Sequence, residues 1–351
     1  MKHDILSMDV QTLELFMLEL KQPKFRAKQI FEWLHKRNAV SFDEMSNLSK
    51  SLRAELESIA NISCINTINR LESNKQKGSN ASDGTVKYLF ELDDGATIES
   101  VLMKYSHGYS VCLSTQVGCK MGCTFCASGE NFQRNLTAGE IAAQVYTINR
   151  ENTNKENFRV SNIVLMGCGE PLDNFEAVIS AINLLSNEIG QNIGQRHFTL
   201  STCGLVPQIL ELAKLKMQIT LAVSLHAPND ELRQEFMPIA KKYSLQDLIA
   251  ACHKYVRLTN RRITFEYALI KGVNDSINHG KDLAELLKGM NCHVNLIPVN
   301  KARGDFLPTL RKDAENFLEI LEKFKIQTTI RRSLGADVGA ACGQLKANNH
   351  K

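Results

Sequence analysis

The sequence predicts an α/β fold: a partial (β/α)6 barrel with an N-terminal helical domain and a β-hairpin extension. Three patterns predict it. From about residue 109, six apolar runs recur: SVCLST, NIVLMG, HFTLST, ITLAVSL, RITFEYALI and HVNLIPVN. Each is short and nearly continuous in its apolar residues, as parallel strands covered on both faces should be. Helical stretches separate them, giving the alternation of a curled parallel sheet. Upstream, three segments carry the helical period, and two more alternate like strands.

The elements follow in chain order. DVQTLELFMLELK, AKQIFEWLHKR and LSKSLRAELESIA, all within residues 1–62, are amphipathic at 3.6 residues per turn. SNKQKGSNASDG has the Gly, Asn and Ser content of a loop. TVKYLFEL and ATIESVLMKY flank Asp93, Asp94 and Gly95, the turn of the expected hairpin. Thr137 and Glu140 are spaced as a capping box and mark a helix start. EIAAQVYTINR, AVISAINLL, PQILELAKL, LQDLIAACHKYV and DLAELLKGM supply helices between the strands. The expected division is 1–62 helical domain, 63–108 loop and hairpin, 109–336 barrel, and 337–351 a C-terminal loop and tail. The sequence contains no internal repeat and no low-complexity block.

Composition narrows the class. With 43% hydrophobic and 23% charged residues, the 351-residue chain reads as an ordinary globular protein. MKHDILSMDV lacks an apolar signal core, and no apolar stretch approaches the ~20 residues of a membrane span, so the cytoplasm is the expected compartment. Ten cysteines there read as metal ligands or catalytic thiols before structural disulfides. A net charge of +4 does not by itself demand a nucleic-acid partner. Lys21, Lys24, Arg26, Lys28, Lys36 and Arg37 are opposed only by Glu32, with Ile30, Phe31 and Leu34 on the other helical face. That segment is either a phosphate-contacting surface or a solvated helix face.

The most informative motif is QVGCKMGCTFCASG, where Cys119, Cys123 and Cys126 are spaced C-x3-C-x2-C. Zinc sites usually present four ligands. Three close thiolates suit a [4Fe-4S] cluster with one iron free of protein, open to a substrate. Gly118 and Gly122 would let the loop wrap closely, with Phe125 beside the last cysteine. A Cys3His zinc knuckle or three unrelated core thiols are the alternatives. The polar residues gather at the ends of the expected strands, where barrel enzymes carry their sites. These are Gly167, Cys168, Gly169, Glu170 and Pro171, then Ser201 to Gly204, then Ser224, Leu225 and His226, then Pro298 and Asn300. MGCGEP lacks the lysine of a P-loop and the spacing of a dinucleotide fingerprint. His226 alone reads more readily as a structural histidine than as a ligand.

Together these segments resemble a known family. The cysteine motif with GEP after the second strand looks like the radical S-adenosylmethionine superfamily. VCLSTQVGCKMGCTFCASG, LMGCGEPLDN, TLSTCGLVP, SLHAPND, HVNLIPVN and AACGQL resemble, more narrowly, the RlmN-type RNA adenine-C2 methyltransferases. The resemblance spans nearly the whole chain and is weakest in the first hundred residues. It implies a radical-SAM barrel holding a [4Fe-4S] cluster on Cys119, Cys123 and Cys126. It further implies S-adenosylmethionine bound by Gly169, Glu170, Ser201, Ser224, Leu225, His226 and Asn300, two molecules being used per turnover. Cys342 would carry a methyl group, Cys112 would be its thiol partner, and Glu99 would accept a proton. Implied partners are 23S rRNA and tRNA, gripped in part by the N-terminal domain, and an electron donor such as flavodoxin or ferredoxin. A monomer without membrane association is expected.

The chemistry explains the extra cysteines. Carbon 2 of adenine is electron-poor and has no lone pair, so it cannot displace a methyl group from a sulfonium. A thiolate can. Hydrogen abstraction from the resulting S-methyl group gives a carbon radical that adds to the ring. Release then takes the ring proton, and Cys112 attacks the Cys342 sulfur to leave a transient disulfide. Without the resemblance, Glu99 reads as a solvated hairpin carboxylate, and Cys342, Cys64, Cys252 and Cys292 as buried thiols. Cys168 and Cys203 depart from the family pattern and read as filler, and KARGDFLPTL is a loop where substrate contacts could differ. Two rival functions remain open at this point: a Cfr-type carbon-8 methyltransferase, and a non-catalytic RNA-binding protein with structural zinc.

Overall fold

The computed structural model describes residues 2–73, 84–106, 108–129, 131–156, 158–300, 305–331 and 334–345. The SNKQKGSNASDG loop lies almost wholly outside the described residues, as do the first four residues of KARGDFLPTL. The N-terminal region contains β1 (His3–Asp4), α1 (Val10–Glu19), α2 (Phe25–His35), α3 (Lys50–Ile59) and β2 (Ala60–Asn61). The three amphipathic segments are thus helices. Ile30, Phe31 and Leu34 turn inward on α2, while Lys24 and Lys28 stay exposed on it.

One ten-stranded sheet organises the rest. β3 (Asn66–Glu72), β4 (Val86–Glu91), β5 (Thr97–Tyr105) and β6 (Gly108–Cys112) are joined antiparallel in sequence order. The expected hairpin is β4–β5, with Gly95 at φ +79° in its turn. It continues directly into the barrel sheet rather than standing apart, and β3 extends it by one strand that sequence patterning missed. After β6 come β7 (Gln116–Val117) and β8 (Arg134–Asn135), a two-residue antiparallel ladder that closes the base of the cysteine loop.

The parallel half follows: α4 (Ala138–Glu151), β9 (Val160–Leu165), α5 (Phe175–Ser186), β10 (Phe198–Thr202), α6 (Val206–Leu215) and β11 (Thr220–Ser224). Then come α7 (Asp230–Phe236), α8 (Leu245–Thr259), β12 (Ile263–Leu269), α9 (Ile277–Leu286), β13 (Cys292–Pro298), α10 (Arg311–Lys323) and β14 (Gln327–Ile330). The strand order is β14-β13-β12-β11-β10-β9-β6-β5-β4-β3. The six expected β/α strands are β6, β9, β10, β11, β12 and β13, and β14 adds a seventh parallel strand. Short β14, QTTI, alternates exposed and buried residues, so it lacks the continuous apolar signal of the others.

The sheet is curled. Arg331, one residue past β14, donates from Nη1 to the Met166 sulfur at 3.9 Å, although β9 lies five strands away in the sheet order. The segment after β14 then crosses to the antiparallel end, where Ser73 donates to Asp337 at 2.8 Å. The helical domain is seated on α4. His35 Nδ1 and the Tyr146 hydroxyl are 2.6 Å apart in the buried seam, and the Ser7 hydroxyl accepts from the Gly139 N–H at 2.8 Å.

The capping box forms as the spacing predicts. The Thr137 hydroxyl accepts from the Glu140 N–H at 3.1 Å, and the Glu140 carboxylate accepts from the Thr137 N–H at 2.8 Å. Thr137 also donates to Asp4 at 3.1 Å, so one residue ends the cysteine loop, starts α4 and ties down the N-terminal segment. Thr137→Ala is expected to lower stability by about 1 kcal/mol, the usual worth of an N-cap, read as a lower urea midpoint with unchanged slope.

Candidate active site

The cysteine loop, the strand ends and the C-terminal segment enclose one cleft of about 1020 Å3, counting its open mouth. Cys119, Cys123 and Cys126 form one wall, and Gly169, Glu170, Ser201, Ser224, His226 and Asn300 line it from the strand ends. Cys342 enters from the opposite end of the chain. Leu225 alone of the expected cofactor residues does not line the cleft. Its side chain is in the core, while its N–H donates to the Glu266 carbonyl at 3.0 Å.

Local geometry accounts for these positions. Gly118 has φ +76°, and a Cβ there would meet the Asn131 carbonyl oxygen at 2.2 Å, so only glycine lets the loop fold back on itself. Gly169, at φ +108°, would place a Cβ 2.7 Å from that of Gln116, which packs the GEP turn against the strand leading into the cysteine loop. Glu170 then caps the next turn. Its Oε1 accepts from the Leu172 N–H at 3.0 Å and its Oε2 from the Cys203 N–H at 2.7 Å. Burial pushes its carboxyl pKa up, and these bonds to the carboxylate oppose that shift.

His226 is neutral and its tautomer is set. The Ala268 N–H must be the donor in its 3.0 Å contact with Nδ1, so the neutral ring carries its proton on Nε2. Burial, aided by the Arg233 charge, pulls its pKa down to about 3. The ring meets Phe125 edge-on, with centroids 4.9 Å apart. His226 is therefore both the hydrogen-bonded structural histidine its sequence suggested and a wall of the cleft.

The three thiols fit an iron-sulfur cluster. Burial pushes Cys119 up to about 12 and raises Cys123 as well, so neither would be ionised at neutral pH without a cation beside it. Among the described residues no three His, Cys, Asp or Glu side chains close on a single metal ion. A four-iron cubane needs no such convergence, since it takes one thiolate at each of three corners. The cleft also offers polar groups for a cosubstrate: the His226 Nε2–H, the Ser201 and Ser224 hydroxyls and Glu266. The Glu266 Oε2 is buried without a hydrogen-bond partner among the described residues, although Asn295 donates to Oε1 at 3.1 Å.

A second chamber lies behind Cys342. Val101, Met103, Cys112, Val164, Met166, Arg331 and Leu345 are among its lining, and Cys126 and Cys342 line both cavities. Cys112 ends β6 directly opposite Val101 of β5. Alternation along β5 puts Glu99 on the same face as Val101 and hence as Cys112. Glu99 is buried, and Lys87 Nζ is 3.0 Å from its Oε1, so it is not the solvated hairpin carboxylate of the plain sequence reading. Cys342 is exposed rather than buried, whereas Cys252 and Cys292 are buried as expected and Cys64 is half-buried. Its loop is stitched in place. The Gly343 carbonyl accepts from the Ala127 N–H at 2.8 Å, the Leu345 carbonyl from the Ser128 hydroxyl at 2.7 Å, and the Cys342 carbonyl from Asn300 at 3.2 Å.

Comparison with known proteins settles the family. The model of the ribosomal RNA large subunit methyltransferase N-terminal domain matches residues 3–62, and that of the radical SAM superfamily matches residues 113–287. A probable dual-specificity RNA methyltransferase RlmN from Clostridium novyi is 52% identical over 347 residues, 98% of each chain. This chain belongs to the RlmN family. The RlmN of Alkaliphilus oremlandii, also named a probable dual-specificity RNA methyltransferase, is likewise 52% identical over 98% of both chains. A crystal structure of a radical SAM methyltransferase from Sphaerobacter thermophilus superposes with a TM-score of 0.91 at 43% identity, covering 99% of this chain and 100% of that one. RlmN family membership implies S-adenosylmethionine and an iron-sulfur cluster as cofactors of the protein.

Sequence reasoning missed three charged residues here. Glu266 was legible as an acid inside the apolar run RITFEYALI. Arg331 and Arg233 sit among polar residues and gave no signal. The two filler thiols also flank the site: Cys203 lines the cleft with its thiol beside Glu170, and Cys168 is buried beside Ser128 and Cys126. Burial, and then the Cys342 charge, push Cys112 up to about 12, while Arg331 opposes the shift. In cluster-free protein at pH 8, iodoacetamide is expected to modify Cys342 at least about tenfold faster than Cys112. Peptide mass spectrometry reads both rates, and Arg331→Met is expected to slow Cys112 further.

Proposed function

We propose that this RlmN-family enzyme methylates carbon 2 of an adenosine in 23S rRNA and of adenosine in certain tRNAs, using two S-adenosylmethionine molecules for each methyl delivered. The observation that carries the proposal is the position of Cys342, on the wall shared by the cluster cleft and the Cys112 chamber. The RlmN name of relatives about 50% identical over the full chain supports the RNA substrates and the choice of carbon 2 over carbon 8.

In the first stage the Cys342 thiolate forms a bond to the methyl carbon of S-adenosylmethionine as the sulfonium C–S bond breaks. S-adenosylhomocysteine leaves, and Arg331 provides a cation beside the reacting sulfur. When bound on Cys119, Cys123 and Cys126, the cluster supplies the electron that splits a second S-adenosylmethionine into methionine and a deoxyadenosyl radical. Gly169, Glu170, Ser201, Ser224, His226 and Asn300 hold the cosubstrate, with the Leu225 main chain completing the strand end. The S-methyl group of Cys342 gives up a hydrogen atom, and its carbon adds to carbon 2.

Glu99 is the base that takes the ring proton, and the electron lost with it would return to the oxidised cluster held on Cys119, Cys123 and Cys126, restoring the aromatic ring. Lys87 Nζ, 3.0 Å from Oε1, holds the carboxylate in position. Cys112 next forms an S–S bond to Cys342 as the bond from the Cys342 sulfur to the methylene breaks, and the methylene takes a proton to become the product methyl. The exposed cations of the N-terminal domain, Lys21, Lys24, Lys28, Lys36 and Arg37, lie on a surface that suits RNA phosphates. The remaining expectations are part of the same reading: a flavodoxin or ferredoxin donor, a monomer in the cytoplasm, and division of the chain near residues 62, 108 and 336.

Cys342→Ala is expected to abolish methylation while leaving iron and sulfide content unchanged, and turnover by that variant would sink the mechanism. Cys112→Ala is expected to leave enzyme joined to RNA, seen as a slow band in a denaturing gel that nuclease removes. Mass spectrometry of digested rRNA locates the methyl group, and methyl on carbon 8 would overturn the choice of position.

A further inference from the structure

Arg233, on α7, is fully buried. Its Nη2 donates to the Cys203 carbonyl at 2.7 Å and the Ser224 carbonyl at 3.3 Å, and its Nε to the Leu225 carbonyl at 3.3 Å. Those carbonyls terminate β10 and β11 beneath the cleft. None of these bonds goes to a carboxylate, and Nη1 is buried with no hydrogen-bond partner among the described residues. A cation held only by carbonyl dipoles in a dry interior is costly until an anion joins it.

α7 is docked on the cysteine loop. The Phe236 carbonyl at its end accepts from the Thr124 N–H at 2.9 Å, and Phe125 packs edge-on against Phe236, with centroids 6.3 Å apart. Gly204, at φ +104°, leaves room for the guanidinium, since a Cβ there would be 3.2 Å from Nη2. Cys123 and Cys203 are both near enough for their charges to act on Arg233. Asp230 on the same helix and Cys252 act on it too, but neither bonds the guanidinium, and α7 is docked on the loop that carries the cluster ligands.

We infer that Arg233 is the buried countercharge of the cluster and makes that cluster easier to reduce. The inference rests on the reading that Cys119, Cys123 and Cys126 hold it. Each electron added makes the cluster more negative, and a fixed cation across a low-dielectric gap favours the reduced form. Arg233 does not touch substrate; it acts through the cluster.

The test is an anaerobic redox titration followed by electron paramagnetic resonance, on reconstituted wild type, Arg233→Lys and Arg233→Gln, with iron and sulfide counted in each. In Arg233→Gln the reduced-to-oxidised ratio at fixed potential is expected to fall about tenfold, or about 59 mV for one electron. Arg233→Lys is expected to stay near wild type at neutral pH. Should Gln not fold, the Lys variant decides the matter alone. A buried lysine loses its proton as pH rises, so its cluster is expected to become harder to reduce from pH 7 to 10 relative to wild type. Cys123, Cys203, Cys252, Asp230 and His226 face the same group and are common to both proteins. Fully loaded variants titrating with wild type throughout would overturn the role of Arg233. Wild-type protein without iron, sulfide or a paramagnetic signal would instead overturn the cluster assignment.

Discussion

The chemistry of this fold depends on one stitch, the contact between the cysteine loop and the C-terminal segment. The Ala127 N–H donates to the Gly343 carbonyl, and the Ser128 hydroxyl to the Leu345 carbonyl, the latter pair 217 residues apart in sequence. These bonds carry modest energy, about 1 kcal/mol each. Their importance is positional. They place Cys342 against the Cys119, Cys123 and Cys126 loop and over Cys112, which no local propensity could do. The stitch is possible only because the sheet curls, so that the chain leaving β14 can cross to the antiparallel end.

Electrostatics explains why this junction is built from thiols and arginines. Burial alone raises the pKa values of Cys112, Cys119 and Cys123 and would keep them protonated and unreactive. Two cations offset that tendency in different places. Arg331 lies beside Cys112 and Cys342, with the Cys342 charge the largest influence on it, and Glu266 balances it from β12. Arg233 lies beneath the cluster loop. Charge is thereby divided between the Cys112–Cys342 side and the cysteine-loop side, and among the described residues neither arginine forms a salt bridge to a carboxylate.

What was legible in the sequence follows the range of the interactions. The cysteine motif, the Thr137–Glu140 box and the apolar strands are local patterns whose physics is complete within a few residues, and each stands where expected. β3 and β14 were missed because they are edge strands. β3 is mostly exposed and β14 alternates, so neither has the continuous apolar run that marks a central strand. Cys112, Cys342 and Glu99 could be selected only through the family resemblance, because their meeting depends on strand register and on the crossing of the curled sheet. Glu99 illustrates the limit. From sequence it is a carboxylate near a turn, but β5 runs on through the core and buries it against Lys87. Arg233 was invisible for the same reason, as DELRQEF looks like any polar helix.

On the proposed mechanism, the walls of the two cavities that meet at Cys342 bear on the order of the steps. Both are lined in part by apolar side chains and both include Arg331, and the rear chamber adds Val101, Met103, Val164 and Leu345. A charged sulfur is penalised among those apolar side chains. A methyl thioether has no charge, so the same apolar walls favour it. Methylation of Cys342 would thus suit the side chain to the chamber that contains Cys112. On the same reading Cys112, the proposed resolving thiol, is kept protonated by burial while the methyl group is being loaded. Only when a substrate carbon has bonded to the methylene does the Cys342 sulfur become a leaving point that Cys112 can attack. On that reading the disulfide waits on the chemistry of the Cys342 sulfur and on the burial that keeps Cys112 protonated.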